Sequence, residues 1–203
     1  MDNLNSNNKV NISGTLVSDF EYSHNVKDKK IYKAYVQTER LSGIKDVIPL
    51  LTKDIMEKDC LGKRIKVDGR YRSYNLHGDD GNHLILYVSP QNIKIEEDTK
   101  DENYIFLDGF VCKQPVYRRT PFGREITDLL LAVNRTFGKS SYIPCICWGH
   151  NAKFAKEFKV GSHIQVAGRI QSREYKKKID DRYEIKTAYE VSINSIINLK
   201  GNE

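Results

Sequence analysis

Long apolar runs are missing from this 203-residue sequence. None approaches the roughly 20 apolar residues that a membrane-spanning helix needs. The first eight residues, Met1-Asp2-Asn3-Leu4-Asn5-Ser6-Asn7-Asn8, have neither the basic start nor the apolar stretch of a secretory signal. The expectation is a cytoplasmic protein with no membrane partner. Cysteine is also sparse: Cys60, Cys112, Cys145 and Cys147 are the full set. Zinc ligands usually come in pairs two to four apart in a turn, with a second pair nearby. Cys145 and Cys147 instead share one face of an apparent strand, so buried structural thiols are expected, with no metal and no other cofactor.

Catalytic signatures are absent as well. His24, His77, His83, His150 and His163 are scattered, and no Gly-x-Ser-x-Gly, His-Glu-x-x-His or Walker pattern occurs. A metal nuclease built on an acid such as Asp128 has no second carboxylate at a pairing distance. No enzyme is expected, and no catalytic residue.

What is present is positive charge and aromatic surface. Net charge is +6, with 39% hydrophobic and 30% charged residues. The excess is uneven. Residues 1–100 hold 16 Lys+Arg against 15 Asp+Glu, whereas residues 101–203 hold 17 against 12. Basic surfaces favour polyanions, and here the excess lies in the half with a distinctive stretch, residues 141–175.

Strand side chains alternate between faces. In the first part of that stretch Tyr142, Pro144, Ile146 and Trp148 share one face, and Ile143, Cys145 and Cys147 the other. A short helix is expected over residues 151–158. In the last part Ile164, Val166, Gly168 and Ile170 form an apolar face, opposite Gln165, Arg169, Gln171, Arg173 and Tyr175. One face reads as core. The other carries rings beside guanidinium groups, the composition that single-stranded nucleic acid requires, since bases stack on flat rings and phosphates need cations.

A repeat gives the architecture. Ile12-Ser13-Gly14 matches Leu107-Asp108-Gly109, Arg40 matches Arg135 and Pro49 matches Pro144, all at an offset of 95. Ile65-Lys-Val-Asp-Gly-Arg-Tyr-Arg-Ser73 matches Ile164-Gln-Val-Ala-Gly-Arg-Ile-Gln-Ser172 at 99, and Val88-Ser89 matches Val191-Ser192 at 103. Offsets that grow in steps are those of loop insertions between two copies of one unit. Each copy reads as five strands with a short helix between the third and fourth, which fits an all-β fold of two tandem OB barrels. The division is a disordered arm over residues 1–8, a first barrel over 9–95, a charged linker over 96–102, a second barrel over 103–197 and a short tail over 198–203. Residues 114–123 read as a turn and residues 176–182 as the basic tip of a hairpin.

The run Tyr142-Ile-Pro-Cys-Ile-Cys-Trp-Gly149, the helix, and Gly168-Arg-Ile-Gln-Ser-Arg-Glu-Tyr175 resemble the middle of bacterial single-stranded DNA-binding proteins of the OB-fold type. The resemblance covers residues 103–197 well and the first half weakly. It implies base stacking at Phe137, Tyr142, Trp148 and Tyr175, and non-catalytic, largely sequence-independent binding of single-stranded DNA in replication, repair or recombination. Taken one at a time, Trp148 also fits a half-buried barrel residue, and Phe137 a plug at a barrel end. Arg118, Arg119, Arg124, Arg135, Arg169 and Arg173, with Lys176 and Lys177, are candidate phosphate contacts. Lys178, Arg182 and Lys186 suit either strand wrapping or a solubilising tip.

At the equivalent places the first copy has Ser42, Val47 and Lys53 in place of Phe137, Tyr142 and Trp148. The second barrel is therefore expected to be the main binder, with the first serving assembly or weak extension. Family members commonly assemble four barrels, which two such chains would supply as a homodimer. The family's acidic terminal tip is not found, which puts tail-mediated recruitment of repair enzymes in doubt, while replication proteins stay among the candidate partners. RNA stays open, because stacking does not read the sugar. The competing reading is a protein-interaction module of a replication or primosome assembly.

Overall fold

The computed structural model describes residues 6–56, 59–78, 81–179 and 182–199, with the side chains of residues 177–179 and 182 left aside. The fold is almost entirely strand. The first half contains β1 (Asn8–Leu16), β2 (Glu21–Val26), β3 (Lys29–Glu39), β4 (Lys45–Thr52), β5 (Arg64–Gly78) and β6 (Gly81–Ile95). The second contains β7 (Glu102–Val111), β8 (Val116–Arg119), β9 (Glu125–Asn134), β10 (Ser140–Trp148), helix α1 (His150–Ala155), β11 (His163–Ile179) and β12 (Arg182–Asn198). No helix among the described residues is long and apolar enough to cross a membrane.

In the first half β1 pairs with β5 and, at Thr15 and Leu16, with β3. β3 continues to β4, β4 meets β6 in parallel at Leu50 and Val88, and β6 returns to β5. The second half repeats the circuit through β7, β9, β10, β12 and β11. Antiparallel pairing of β1 with β7 joins the halves into one sheet order.

Strand alternation explains the core. Along β5 the buried positions are Ile65, Val67, Gly69, Tyr71 and Ser73, every second residue. Ile164, Val166 and Ile170 repeat this on β11, and Ile143, Cys145 and Cys147 on β10. These side chains join a single buried cluster that runs through both halves.

The repeat extends to irregularities. A bulge falls between Asp68 and Gly69, with Gln91 as the extra residue on β6. Its equivalent falls between Ala167 and Gly168, with Asn194 extra on β12. Both glycines are required, because a Cβ there would collide with the carbonyl oxygens of Ser89 and Ser192 respectively.

Several expectations need correction. β2 and β8 are additional edge strands, hairpinned onto β3 and β9. The turn expected over residues 114–123 shrinks to 120–123, where Gly123 N–H donates to Thr120 C=O and adopts φ 76°. The helix is shorter than expected, starting at His150 and ending at Ala155. Its counterpart in the first copy is missing among the described residues of that segment, where Asp54 lies in a bend and residues 57–58 lie outside the description. Residues 1–5 of the expected arm are likewise outside it. Asn7 and Asn8, placed in that arm, are buried, and Asp108 N–H donates to Asn7 C=O at 2.8 Å. The residues read as a hairpin tip continue as a paired ribbon out to Ile179 and Arg182.

Candidate nucleic-acid interface

β10 ends at Trp148, and Gly149 turns the chain away with φ 55° into α1. Directly opposite residues of paired strands share a face. Trp148 lies opposite Ile126, and Ile126 opposite Arg118, so one row crosses three strands. Ile126 and Ile146, which line the same cleft, are buried, and Trp148 remains 37% exposed. This row forms one wall of an open cleft of about 1080 Å³, to which Arg124, Arg169 and Arg173 also contribute.

Two of the guanidinium groups, those of Arg118 and Arg173, have carboxylate partners. Arg118 Nε donates to Asp128 Oδ2 at 2.8 Å, which raises the Arg118 pKa. Arg173 Nε lies 3.9 Å from Glu190, which also accepts from Gln171 Nε2 at 2.7 Å. Arg169 is partly buried, and burial, followed by the charge of Arg40, lowers its pKa. Arg40 was not expected here. It comes from the first half and donates twice to fully buried Asp46, at 2.6 Å each. Asp46 also accepts the backbone N–H of Ser172 at 2.8 Å, locking Arg40 to the second half's cleft. The signal was the match of Arg40 to Arg135, but local reading gave no hint that either crosses to the other half.

Trp148, Arg118, Arg124, Arg169 and Arg173 therefore converge. Tyr175 and Lys176 lie further along the β11–β12 ribbon, with the Arg173 guanidinium 5.9 Å from the Tyr175 ring centre. The Lys177 side chain lies outside the described residues. Arg119 points to the other face of β8, 3.6 Å from Glu125, which also accepts from Tyr117 Oη and pairs with Lys153.

Phe137, Tyr142 and Arg135 lie elsewhere. Six residue steps along β10 separate Tyr142 from Trp148, about 20 Å in a strand. Tyr142 N–H donates to Ser73 Oγ of β5 at 2.7 Å, so this end of β10 abuts the first half. Phe137 sits in the loop closed by Arg135 N–H to Lys139 C=O at 2.7 Å. Its side chain is 96% exposed and its φ is 61°. A residue with a Cβ loses about 1–2 kcal/mol in that left-handed region, and the ring regains nothing by burial.

Among the described residues no group of three His, Cys, Asp or Glu could hold a metal. Cys145 and Cys147 are buried, and desolvation pushes the Cys147 pKa up to about 12. Thiols so protonated are poor nucleophiles and poor metal ligands.

The site is thus a solvent-open cleft in which a half-exposed indole stands among arginines. Residues 102–199 match the model of the single-strand binding protein family. The chain is 40% identical over 80 residues to Single-stranded DNA-binding protein 2 of Listeria innocua, covering 36% of this chain and 50% of that protein. It is 37% identical over 87 residues to Single-stranded DNA-binding protein A of Bacillus subtilis, covering 39% and 51%. The chain spans about half the length of these curated relatives. A deletion mutant of the single-stranded DNA binding protein from Thermus aquaticus superposes on 97% of this chain and 96% of its own, with a TM-score of 0.72 and 21% identity. That likeness is one of fold, and it runs through both halves, whereas the family match is confined to the second.

Proposed function

We propose that this chain binds single-stranded DNA without catalysis and largely without sequence preference, in replication, repair or recombination. The observation that carries the reading is the cleft in which half-exposed Trp148 meets Arg118, Arg124, Arg169 and Arg173. Stacking on an aromatic ring contributes about 1–3 kcal/mol per base and tolerates any base. Phosphate contact adds a term that weakens with salt, because bound cations are released. Tyr175 and Lys176 extend the path along the ribbon, and Tyr142 and Phe137 take bases where the strand crosses toward the first half.

In this reading the two pairing circuits are tandem five-stranded OB barrels, and the second carries the main stacking cleft. The reciprocal bulges and the whole-length fold likeness support the tandem arrangement. The chain acts in the cytoplasm as a homodimer of four barrels, which sedimentation would register as twice 23.4 kDa.

The test is competition binding with a labelled mixed-sequence single strand. Unlabelled single strands of different sequence should displace it with similar potency, and duplex of the same length should be far weaker. Equal competition by duplex would contradict the reading.

A further inference from the structure

The first half has a cationic face that the Trp148 cleft does not include. Alternation along β5 puts Arg70, Arg72 and Tyr74 on one face, and the register sets Ser89 opposite Arg70 and Tyr87 opposite Arg72. Tyr74 meets Tyr87 edge-on with ring centres 5.8 Å apart. This face is completed by the other half. The Tyr142 N–H bond to Ser73 Oγ brings the start of β10 against β5. Arg135, in the loop just before β10, is the strongest charge acting on both Arg72 and Tyr87.

The arrangement resembles the way Arg40 reaches the Trp148 cleft, with one difference. Arg40 is clamped by buried Asp46. The equivalent residue, 95 positions on, is Ser141. Ser141 is fully buried, and its Oγ has no hydrogen-bond partner among the described residues. A serine cannot neutralise a guanidinium, so Arg135 lacks the acid that holds Arg40. Among the described residues no carboxylate pairs with Arg72 or Arg135 within ion-pair distance. Burial together with repulsion from Arg135 and Arg70 lowers the Arg72 pKa to about 10. Gathering like charges in a partly buried place destabilises the fold unless an anion joins them.

We infer that Arg72 and Arg135, with Arg70 beside them, form a second site that grips the sugar–phosphate backbone of the bound single strand, while Tyr74 and Tyr87 offer ring surface beside it. This rests on the single-strand binding proposed above and deepens it. One strand lies on a stacking cleft in the second half and on a phosphate clamp in the first, and Arg135 and Phe137 hang from the loop between them. Position 141 supplies no acid to compete with phosphate for Arg72 and Arg135.

The experiment uses the full chain, an oligo-dT of about fifty nucleotides, and the dependence of log affinity on log salt. For single strands the slope is about 0.7 per phosphate contact. The double variant Arg72→Gln with Arg135→Gln should flatten the slope by about 1.4 relative to wild type. Quenching of Trp148 at saturation should be retained, since that cleft is intact, and it also reports that the variant has folded. Ser141→Asp provides a second arm that keeps every arginine. It restores the acid seen at Asp46, and binding should weaken in the same direction. Both variants matching wild type in affinity and slope, with Trp148 still quenched, overturns this site and leaves the proposed function standing. Failure of the wild-type chain to bind any single strand overturns the function and this site with it.

Discussion

Asn8 and Asn103 perform the same task in the two halves. Asn8 Nδ2 donates to Tyr71 C=O at 2.7 Å while Tyr71 N–H donates to Asn8 Oδ1 at 2.8 Å. Asn103 does the same for Ile170, at 2.7 and 2.9 Å. Asn8 lies opposite Leu107 and Asn103 opposite Ile12 in the β1–β7 pairing that joins the halves. Ser73 Oγ accepts from Tyr142 N–H, and Ser172 Oγ accepts from Val47 N–H at 3.2 Å, so the cross-connections are reciprocal too.

Asn8→Ala should therefore destabilise the chain. It strips partners from two buried backbone groups of Tyr71, each worth about 1–3 kcal/mol when left unpaired. A loss of about 2–4 kcal/mol is expected on that basis, read as a lower urea midpoint. An unchanged midpoint would show that these bonds do not tie β1 to β5.

Tyr71→Phe should act in the opposite direction. The ring is fully buried, and its hydroxyl has no partner among the described residues. Removing an unsatisfied buried hydroxyl recovers about 1 kcal/mol. The urea midpoint should rise, and a fall would reveal a partner for the hydroxyl.

Asp128→Asn should tighten DNA binding. Asp128 holds Arg118 through an exposed pair, which contributes little to stability. Without it Arg118 is free for phosphate, and affinity at low salt should rise about two- to fivefold, the worth of a contact near 0.5–1 kcal/mol. Fluorescence titration reads this, and weaker binding would show that Asp128 orients Arg118 for contact.

Alkali should expose the buried thiols. Cys147 has a pKa raised by burial to about 12 from an ordinary 9.0. A group whose pKa is raised on folding gives stability that is whole below the unfolded value and is lost as pH rises through the folded one. Urea stability should accordingly fall between pH 9 and 12, and Cys147→Ala should reduce that fall. A fall equally steep in the variant would place the cause elsewhere.

Much of the fold was legible because the two halves carry the same marks. Gly14 and Gly109 both sit where a Cβ would press on a backbone carbonyl, Gln37 and Ala132 respectively, and both were visible as repeat residues. β2 and β8 were not visible, because their side chains are nearly all exposed and show no alternation. Asn8 read as part of a polar arm because its partner, Tyr71, is 63 residues away. For the candidate site, composition singled out Trp148 and arginines that the fold brings to one cleft from different strands. The family resemblance marked Phe137, Tyr142, Trp148 and Tyr175 for stacking, and β10 sets Tyr142 and Trp148 near its opposite ends. The role of Arg40 in the second half depends on a fold-level contact that no local pattern encodes.

The most direct measurement uses the single tryptophan. Oligo-dT of a few tens of nucleotides is titrated into the chain while Trp148 fluorescence is followed at low and high salt. Strong quenching with an affinity that falls as salt rises is the expected result, placing a base on the indole and phosphates on the arginines. Binding that leaves Trp148 fluorescence unchanged would contradict it by moving the strand off this cleft.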